Sequence, residues 1–382
     1  MTETTIFTRM SALAEETGAL NLGQGFPDED GPAEVVEAAV DALRAGHNQY
    51  APLPGVAPLR EAIAEHQLRH YGIALDPATQ VQVTFGATEA LAAAILGLVE
   101  PGDDVLALDP TYDAYSALVA RAGGRLRPIV MRPPLWRIER AAIEAAITPS
   151  TRVLILNTPH NPTGRVLDRA ELELLAEVAR EHDLTVITDE VYEHLVFDGD
   201  HVAMATLPGM AARTLTISSL GKSYGLTGWK TGWASGPAGL VAQVRSVKQF
   251  LTFGGGTPFQ YAAAVALRLS DRLLHEAAST LRAKRDRLGD ALRAGGFDVL
   301  PTAGTYFLSF DAAQIPGAGD RDALELCLRL PREAGVVAIP MSVFTADPAG
   351  PARSIVRLAF CKRDAVLDEA AERLVAWRAA QG

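Results

Sequence analysis

From residue 80 onward, short runs of apolar residues alternate with longer segments in which apolar residues recur at helical spacing. This alternation is typical of parallel α/β architecture, in which helices cover a sheet of buried strands. The candidate strands cover residues 81–85, 104–109, 152–157, 184–189 and 213–219. The candidate helices cover residues 88–99, 115–123, 168–182 and 271–295. The pattern therefore predicts an α/β fold with a mostly parallel central sheet flanked by helices.

Beyond residue 295 the pattern changes to an α+β mixture, with candidate strands in residues 304–311, 335–340 and 354–360. A chain of 382 residues also exceeds what one hydrophobic core usually serves. We therefore predict two domains. The large domain would cover residues 42–275, and the smaller α+β domain would combine residues 1–41 with residues 276–382.

Composition narrows the class of protein. The net charge of −11 argues against a surface for nucleic acid or for an anionic membrane. Cys327 and Cys361 are too few for a disulfide framework, and no motif predicts a metal site. The segment MTETTIFTRM lacks the pattern of a signal peptide, and apolar runs such as residues 91–99 are too short to span a membrane. We expect a cytoplasmic protein that binds any anionic ligand in a local cationic pocket.

Small and polar residues cluster where the candidate strands end. They are Gly86-Ala87-Thr88, residues 158–164, Asp189 with Tyr192, and Ser219 with Lys222. In open α/β sheets, ligands bind outside the carboxyl ends of the strands. The strand ends therefore predict one site at one edge of the sheet.

Taken singly, most of these motifs also have an ordinary structural explanation. Gly86-Ala87-Thr88 could cradle a phosphate at a helix N-terminus or could simply begin that helix. Asp189 could cap the next helix or pair with a cation. Asn161 lies in a proline-rich turn and is a candidate ligand donor. Arg357 is harder to explain, because burial in its apolar strand would require an anion nearby.

The segment SSLGKSYGLTGWKTGW, residues 218–233, holds Lys222 and Lys230 among four glycines. It is too rich in glycine for a good helix and too interrupted for a plain strand. Trp229 and Trp233 are more typical of core packing than of cofactor stacking.

Together, the motifs resemble the class I and II aminotransferases, which are pyridoxal 5′-phosphate (PLP) enzymes of the aspartate aminotransferase fold, fold type I. The matching motifs are NLGQGFPDED (21–30), NQY (48–50), GATEAL (86–91), NPTG (161–164), DEVY (189–192), SLGKSYGLTGWKTGW (219–233) and RLAF (357–360). They occur in that family's order and at its spacings over nearly the whole chain. The sequence is most similar to the kynurenine, glutamine and methionine aminotransferase branch. Within that branch it resembles actinobacterial proteins described as N-succinyldiaminopimelate aminotransferases.

The resemblance implies a role at the cofactor for each strand-end residue. Lys222 would form the Schiff base with the PLP aldehyde and would then move a proton, which requires an amine that can lose its charge. Asp189 would pair with the pyridine nitrogen, so that the ring can accept electrons. Lys230 would meet the phosphate where many relatives have an arginine. The other implied contacts are Gly86, Ala87, Thr88 and Ser219 at the phosphate, Tyr112 on the ring face, and Tyr192 and Asn161 at the phenolic oxygen.

The resemblance also implies a substrate site and a homodimer. Arg357 would form a bidentate pair with the substrate α-carboxylate, supported by the Gly25 backbone and by Asn161. Tyr50 would reach the phosphate from the other subunit, so the two active sites would be shared. The motifs identify no second arginine for the substrate, and recognition of a distal carboxylate stays open.

The expected reaction is transfer of an amino group from an L-amino acid to a 2-oxo acid, with 2-oxoglutarate as the expected acceptor, by a ping-pong mechanism. The candidate donors are N-succinyl-LL-2,6-diaminopimelate, methionine, glutamine, kynurenine and aromatic amino acids. A carbon–sulfur β-lyase on the same fold is the alternative. A regulatory protein that uses the fold as a sensor is a third class, but Lys222, Asp189 and Arg357 are all present.

Overall fold

The computed structural model describes residues 5–316 and 322–381. Its helices are α1 (Ile6–Thr17), α2 (Ala33–Arg44), α3 (Ala57–Tyr71), α4 (Gly86–Leu98), α5 (Asp113–Arg121), α6 (Arg140–Ala146), α7 (Arg169–Glu181), α8 (Leu220–Ser223), α9 (Ala238–Leu251), α10 (Thr257–Arg268), α11 (Asp271–Ala294), α12 (Ala323–Glu333) and α13 (Asp364–Ala379). Its strands are β1 (Leu20–Asn21), β2 (Val81–Phe85), β3 (Asp104–Asp109), β4 (Arg125–Val130), β5 (Thr151–Asn157), β6 (Thr185–Asp189), β7 (Thr214–Ser219), β8 (Thr231–Ser235), β9 (Asp298–Val299), β10 (Phe307–Asp311), β11 (Val336–Val337), β12 (Ile339–Pro340) and β13 (Ile355–Ala359).

A seven-stranded sheet in the order β2-β8-β7-β6-β5-β3-β4 forms the centre of the molecule. The strands β4, β3, β5, β6 and β7 run parallel, and β8 runs antiparallel to both of its neighbours. The sheet is therefore mostly parallel, which confirms the fold class predicted from the sequence. Parallel strands of this kind place their carboxyl ends at one edge.

Both faces of the sheet are covered by helices. Along β3, Val105 and Ala107 pack into a core shared with α4, α5 and α9. Leu106 and Leu108 point to the opposite face and pack into the core that contains α7. Each fully buried leucine contributes about 2 kcal/mol of hydrophobic stabilisation. Burial on both faces explains why the strands appear in the sequence as continuous apolar runs.

The N-terminal and C-terminal parts of the chain meet beside this sheet. β1 pairs in parallel with β11, and a separate antiparallel sheet has the order β12-β13-β10-β9. The proposed domain boundaries, after residues 41 and 275, both lie inside helices, α2 and α11. The division of the chain at these residues stays a prediction.

The segment 218–233 contributes to four short elements in succession. Its residues supply the end of β7, the one-turn helix α8, a 3₁₀ turn at Thr227–Trp229 and the start of β8. The sequence did not predict the strand β8, whose Gly232 packs against the backbone of Gly86 and Ala87. Trp233 is buried and Trp229 packs against the core, as the sequence predicts. Within the described residues, every helix is too short or too polar to span a lipid bilayer.

Candidate active site

The carboxyl ends of three neighbouring strands bring polar residues to one edge of the sheet. Asn157 at the end of β5 pairs with Asp189 at the end of β6, and Ser219 ends the adjacent strand β7. A cavity of about 310 Å³ opens at this edge. Of the site residues predicted from the sequence, those that line it are Gly25, Tyr112, Asn161, Tyr192, Lys222 and Arg357.

Lys222 directs its amine into this cavity from the helix α8. Its Nζ donates a hydrogen bond to the hydroxyl of Tyr306 at 3.0 Å. The same Nζ lies 5.7 Å from the ring centre of Tyr192 and 5.6 Å from that of Tyr306. The Tyr306 hydroxyl in turn donates to the carbonyl of Gly25 at 2.6 Å. Lys222 is therefore a half-buried amine held in place by a tyrosine that also fixes the N-terminal segment.

Asp189 is a buried carboxyl that accepts a side-chain hydrogen bond from Tyr115. Tyr115 donates its hydroxyl proton to Asp189 Oδ2 at 2.6 Å. Burial raises the pKa of Asp189 to about 6, although the bond from Tyr115 and the charge of Lys222 act in the opposite direction. A carboxyl in this environment gains much from a cationic partner, such as the protonated nitrogen of a pyridine ring.

Arg357 is buried on β13 and faces the cavity. Its Nη1 donates to Asn161 Oδ1 at 2.8 Å, and its guanidinium lies 4.0 Å from the centre of the Phe307 ring. Burial lowers the pKa of Arg357 to about 10, so it remains charged at neutral pH. Its Nε is buried and has no hydrogen-bond partner among the described residues. An unpaired donor on a buried cation is well suited to accept a carboxylate in bidentate geometry.

The start of α4 forms a narrow cradle with β8. Gly86 has a φ of 71°, and a Cβ there would lie 3.3 Å from Lys230 Cε. A Cβ on Gly232 would lie 2.5 Å from the carbonyl carbon of Gly86 and 2.6 Å from the nitrogen of Ala87. Gly232 pairs with Ser219 across β7 and β8. Helix amides, an ammonium and a hydroxyl therefore meet at this point, which is the donor set that a phosphate requires.

Tyr112 and Thr88 link this cradle to the cavity. Burial raises the pKa of Tyr112, and the neighbouring Thr88 side chain acts in the opposite direction. The Tyr112 ring meets Tyr115 edge to face, with centroids 5.6 Å apart. Thr88 is exposed and Ala87 is half-buried at the first turn of α4. The residues present thus fit each part of PLP: the phosphate at the cradle, the ring nitrogen at Asp189 and the aldehyde at Lys222.

Tyr50 lies outside this cavity. Its side chain is 82% exposed and contacts Phe253 edge to face at 6.1 Å. Within one chain, the fold therefore leaves Tyr50 free to meet another molecule.

Three residues of the site were not anticipated from the sequence. Asn157 donates to the carbonyl of Asp189 and accepts from the amide of Asn161, each at 2.7 Å, so it positions both. Its position at the carboxyl end of a predicted strand could have identified Asn157 as a site residue. Tyr115 and Tyr306 act through tertiary contacts, and no local pattern identifies them.

Comparison with known proteins places this arrangement in context. A family model described as "Aminotransferase class I and II" matches residues 17–374. A probable N-succinyldiaminopimelate aminotransferase, DapC, of Mycobacterium tuberculosis is 52% identical over 97% of this chain and 95% of its own length. The methionine aminotransferase of Escherichia coli is 43% identical over 97% of this chain and 95% of its own.

Solved structures of aminotransferases have the same fold as this chain. The N-succinyldiaminopimelate aminotransferase from Mycobacterium tuberculosis superposes with a TM-score of 0.95 at 52% identity, covering 98% of this chain and 97% of that one. The aspartate aminotransferase from Thermus thermophilus with maleate gives a TM-score of 0.90 at 32% identity, covering 98% of this chain and 97% of that one.

Proposed function

Because this chain belongs to the class I and II aminotransferases and is therefore a PLP-dependent transferase, we propose that it moves the amino group of an L-amino acid to 2-oxoglutarate by a ping-pong mechanism. The observation that carries the proposal is the presence of Lys222 and Arg357 in one cavity. A guanidinium can hold the α-carboxylate of an amino acid while the amine acts at its α-carbon.

The assignment of residues to the cofactor follows from their chemistry. PLP, when bound, supplies an aldehyde that captures amines and a ring that accepts electrons from the substrate α-carbon. Lys222 would hold the aldehyde end, and Asp189 would hold the ring nitrogen. The remaining contacts would be Tyr112 on the ring face, Tyr192 and Asn161 at the phenolic oxygen, and Gly86, Ala87, Thr88, Ser219 and Lys230 at the phosphate.

Proton transfer would be the task of Lys222. Its Nζ would take the proton from the substrate α-carbon and deliver it to the cofactor carbon that carried the aldehyde. It can do so because it faces the cavity from the short helix α8. Tyr306 would orient that nitrogen through the bond of 3.0 Å. Asp189 would remain ionised opposite a protonated ring nitrogen, held in place by Tyr115.

Substrate recognition would begin at Arg357. Its Nη1 already bonds Asn161, and its free Nε leaves an edge for the α-carboxylate. A Cβ on Gly25 would lie 2.6 Å from the Phe307 ring, so this position accepts glycine alone and leaves its backbone available to the substrate.

A second cavity supports a long, anionic donor. Lys222 also lines a space of about 270 Å³ whose other residues include Lys284 and Tyr224. Lys284 is buried and pairs with Glu29 at 2.8 Å, but the Glu29 side chain is 52% exposed and can turn outward. We therefore favour N-succinyl-LL-2,6-diaminopimelate, which carries distal carboxylates, over methionine, glutamine, kynurenine and aromatic donors. The relative at 52% identity is a probable N-succinyldiaminopimelate aminotransferase, which supports this choice.

The test uses the visible spectrum of the PLP-loaded enzyme, with donors added singly and no oxo acid present. The preferred donor should replace the absorption band of the lysine-bound cofactor with the band of the aminated cofactor. Lys284→Gln should raise the KM for N-succinyl-diaminopimelate about tenfold and leave that for methionine unchanged, because one charged hydrogen bond is lost. Arg357→Lys should raise the KM for every donor, because a lysine cannot donate two parallel hydrogen bonds to the α-carboxylate.

Other outcomes would revise the proposal. If the band of the Lys222→Ala variant matched that of the wild type, the role of Lys222 would be wrong. If the band persisted while pyruvate accumulated from a cysteine conjugate, the enzyme would be a β-lyase. Conversion by methionine alone would overturn the choice of donor.

We further propose a homodimer in which Tyr50 reaches the phosphate of the partner subunit. Tyr50 and Phe250 are 82% and 84% exposed, and Phe253 beside Tyr50 is 46% exposed. Exposed aromatic residues in one region are typical of a protein interface.

A cytoplasmic location is also proposed. There Cys327 and Cys361, which are both free, would stay reduced.

A further inference from the structure

Three histidines from distant parts of the chain meet behind the loop that carries Tyr192. His66 and His70 lie one turn apart on α3, and His194 follows β6. One nitrogen from each ring lies within 4.8 Å of the others. The ring centroids are 4.5, 4.9 and 4.8 Å apart. We propose that His66, His70 and His194 form a binding site for a divalent transition-metal ion of the zinc type, separate from the PLP site.

The spacing of the nitrogens fits such an ion. Residues four apart on a helix project from the same face, so α3 presents His66 and His70 together. Two nitrogens at about 2.05 Å from a tetrahedral zinc are roughly 3.3 Å apart. His66 Nε2 and His194 Nε2 are 2.7 Å apart. A small rotation of either ring would widen this pair to the required distance. His70 would then supply the third nitrogen ligand.

An unsatisfied ring nitrogen and a carboxylate lie at the cluster. Among the described residues, the buried His66 Nδ1 has no hydrogen-bond partner, whereas Asp271 Oδ1 forms an ion pair with Arg69 Nη2 at 3.4 Å. Asp271 Oδ1 lies 3.6 Å from His70 Nε2. Buried polar atoms without partners are rare in folded proteins and point to a missing ligand. Asp271 can bond a metal-bound water or complete the coordination itself.

A buried carboxylate next to the cluster favours a cation, although Arg69 lies on its other side. Glu193 is buried beside His194 and accepts hydrogen bonds of 2.5 Å from Tyr71 and from Ser218. Burial lowers the pKa of His66 to about 4 and that of His194 to about 3, so both rings are neutral, which is the form that binds metals. Arg69 Nε donates to His70 Nε2 at 3.3 Å, and an ion would displace this bond. The side chain of His70 is 17% exposed, which provides a route of entry.

The sequence predicts no metal site because its ligands are separated. His194 follows His70 by 124 residues, and only the packing of α3 against the loop after β6 brings them together. Within the part of the chain that the structure describes, no other group of three such side chains meets the same geometric condition.

The experiment measures zinc binding by the PLP-loaded enzyme, after chelation and removal of any polyhistidine tag, by isothermal titration calorimetry. We expect one Zn²⁺ per chain. His70→Ala, at the most accessible ligand, should weaken binding at least tenfold, and His194→Gln should do the same. His182→Ala, at an exposed histidine outside the cluster, should bind as the wild type does.

Two results would overturn the assignment: no binding to the wild type at micromolar Zn²⁺, or one-site binding with unchanged affinity in both His70→Ala and His194→Gln. Circular dichroism of each variant establishes that it is folded, and the PLP band establishes that the separate cofactor site is intact. A variant that does not fold is replaced by His70→Gln.

Discussion

At the scale of single residues, Asp189 shows how a buried carboxyl that is proposed to hold the cofactor can cost stability. Its pKa of about 6 in the folded protein lies above the value of about 3.9 expected for an unfolded chain. The folded state therefore binds more protons than the unfolded state between these values, and stability falls as the pH rises through that window. Above pH 6 the full cost of roughly 3 kcal/mol applies to the cofactor-free protein.

This leads to a prediction for Asp189→Asn. Without PLP, the variant should melt several degrees higher than the wild type at pH 8 and almost the same near pH 4, because the buried charge is gone. With PLP the order at pH 8 should reverse, since the wild-type carboxylate gains its ring-nitrogen partner. Thermal unfolding with and without PLP at both pH values tests this, with the exposed Asp290→Asn as control. A cofactor-free variant that melts lower at pH 8 would contradict the proposed cost of burial.

At the scale of elements, the antiparallel strand β8 and the helix α4 form the proposed phosphate cradle by close approach. Gly232→Ala would place a Cβ 2.5 Å from the backbone of Gly86, closer than real Cβ contacts allow, and backbone cannot turn aside as a side chain can. We expect at least a tenfold loss of PLP affinity, measured by titration of the cofactor-free protein. Gly228→Ala in the preceding turn is the matched control, because its Cβ meets nothing within 4 Å. Equal affinity in the two variants would rule out the close approach as the reason for the glycine.

The same elements show how far the sequence alone could lead. The strands β2, β3 and β5 to β7 were predicted within one residue, because burial on both faces leaves continuous apolar runs. β8 was missed because the glycine that its close approach requires also weakens a strand pattern. β4 was missed because it is a half-exposed edge strand that contains Pro128 and two arginines. Strand ends pointed to Asp189 and Lys222 as candidates, and their assignment stays a prediction. Tyr306, which directly precedes β10, has no local signal in the sequence.

At the scale of the whole molecule, an acidic protein concentrates cations where an anionic cofactor and substrate would bind. The net charge is −11, yet Lys222, Lys230 and Arg357 all converge on one edge of the central sheet. The general field of the protein therefore repels anions, and binding depends on the local arrangement. In the proposed dimer, Tyr50 would add a contact that one chain cannot make for itself.

Paired variants test whether Tyr50 acts on the partner's site. Co-expression of Tyr50→Ala and Lys222→Ala chains with different tags allows the mixed dimer to be purified. If Tyr50 acts across the interface, the Tyr50→Ala chain keeps its own Lys222 and receives an intact Tyr50, so one site of two is complete. The mixed dimer should then have about half the wild-type activity, while each variant alone is strongly impaired. If Tyr50 acts within its own chain, neither site is complete, and the mixed dimer should have no more than about half the activity of the Tyr50→Ala enzyme. A mixed dimer of wild-type and Lys222→Ala chains calibrates the half-activity level, and sedimentation of every sample as a species of twice 40.6 kDa verifies the dimer itself.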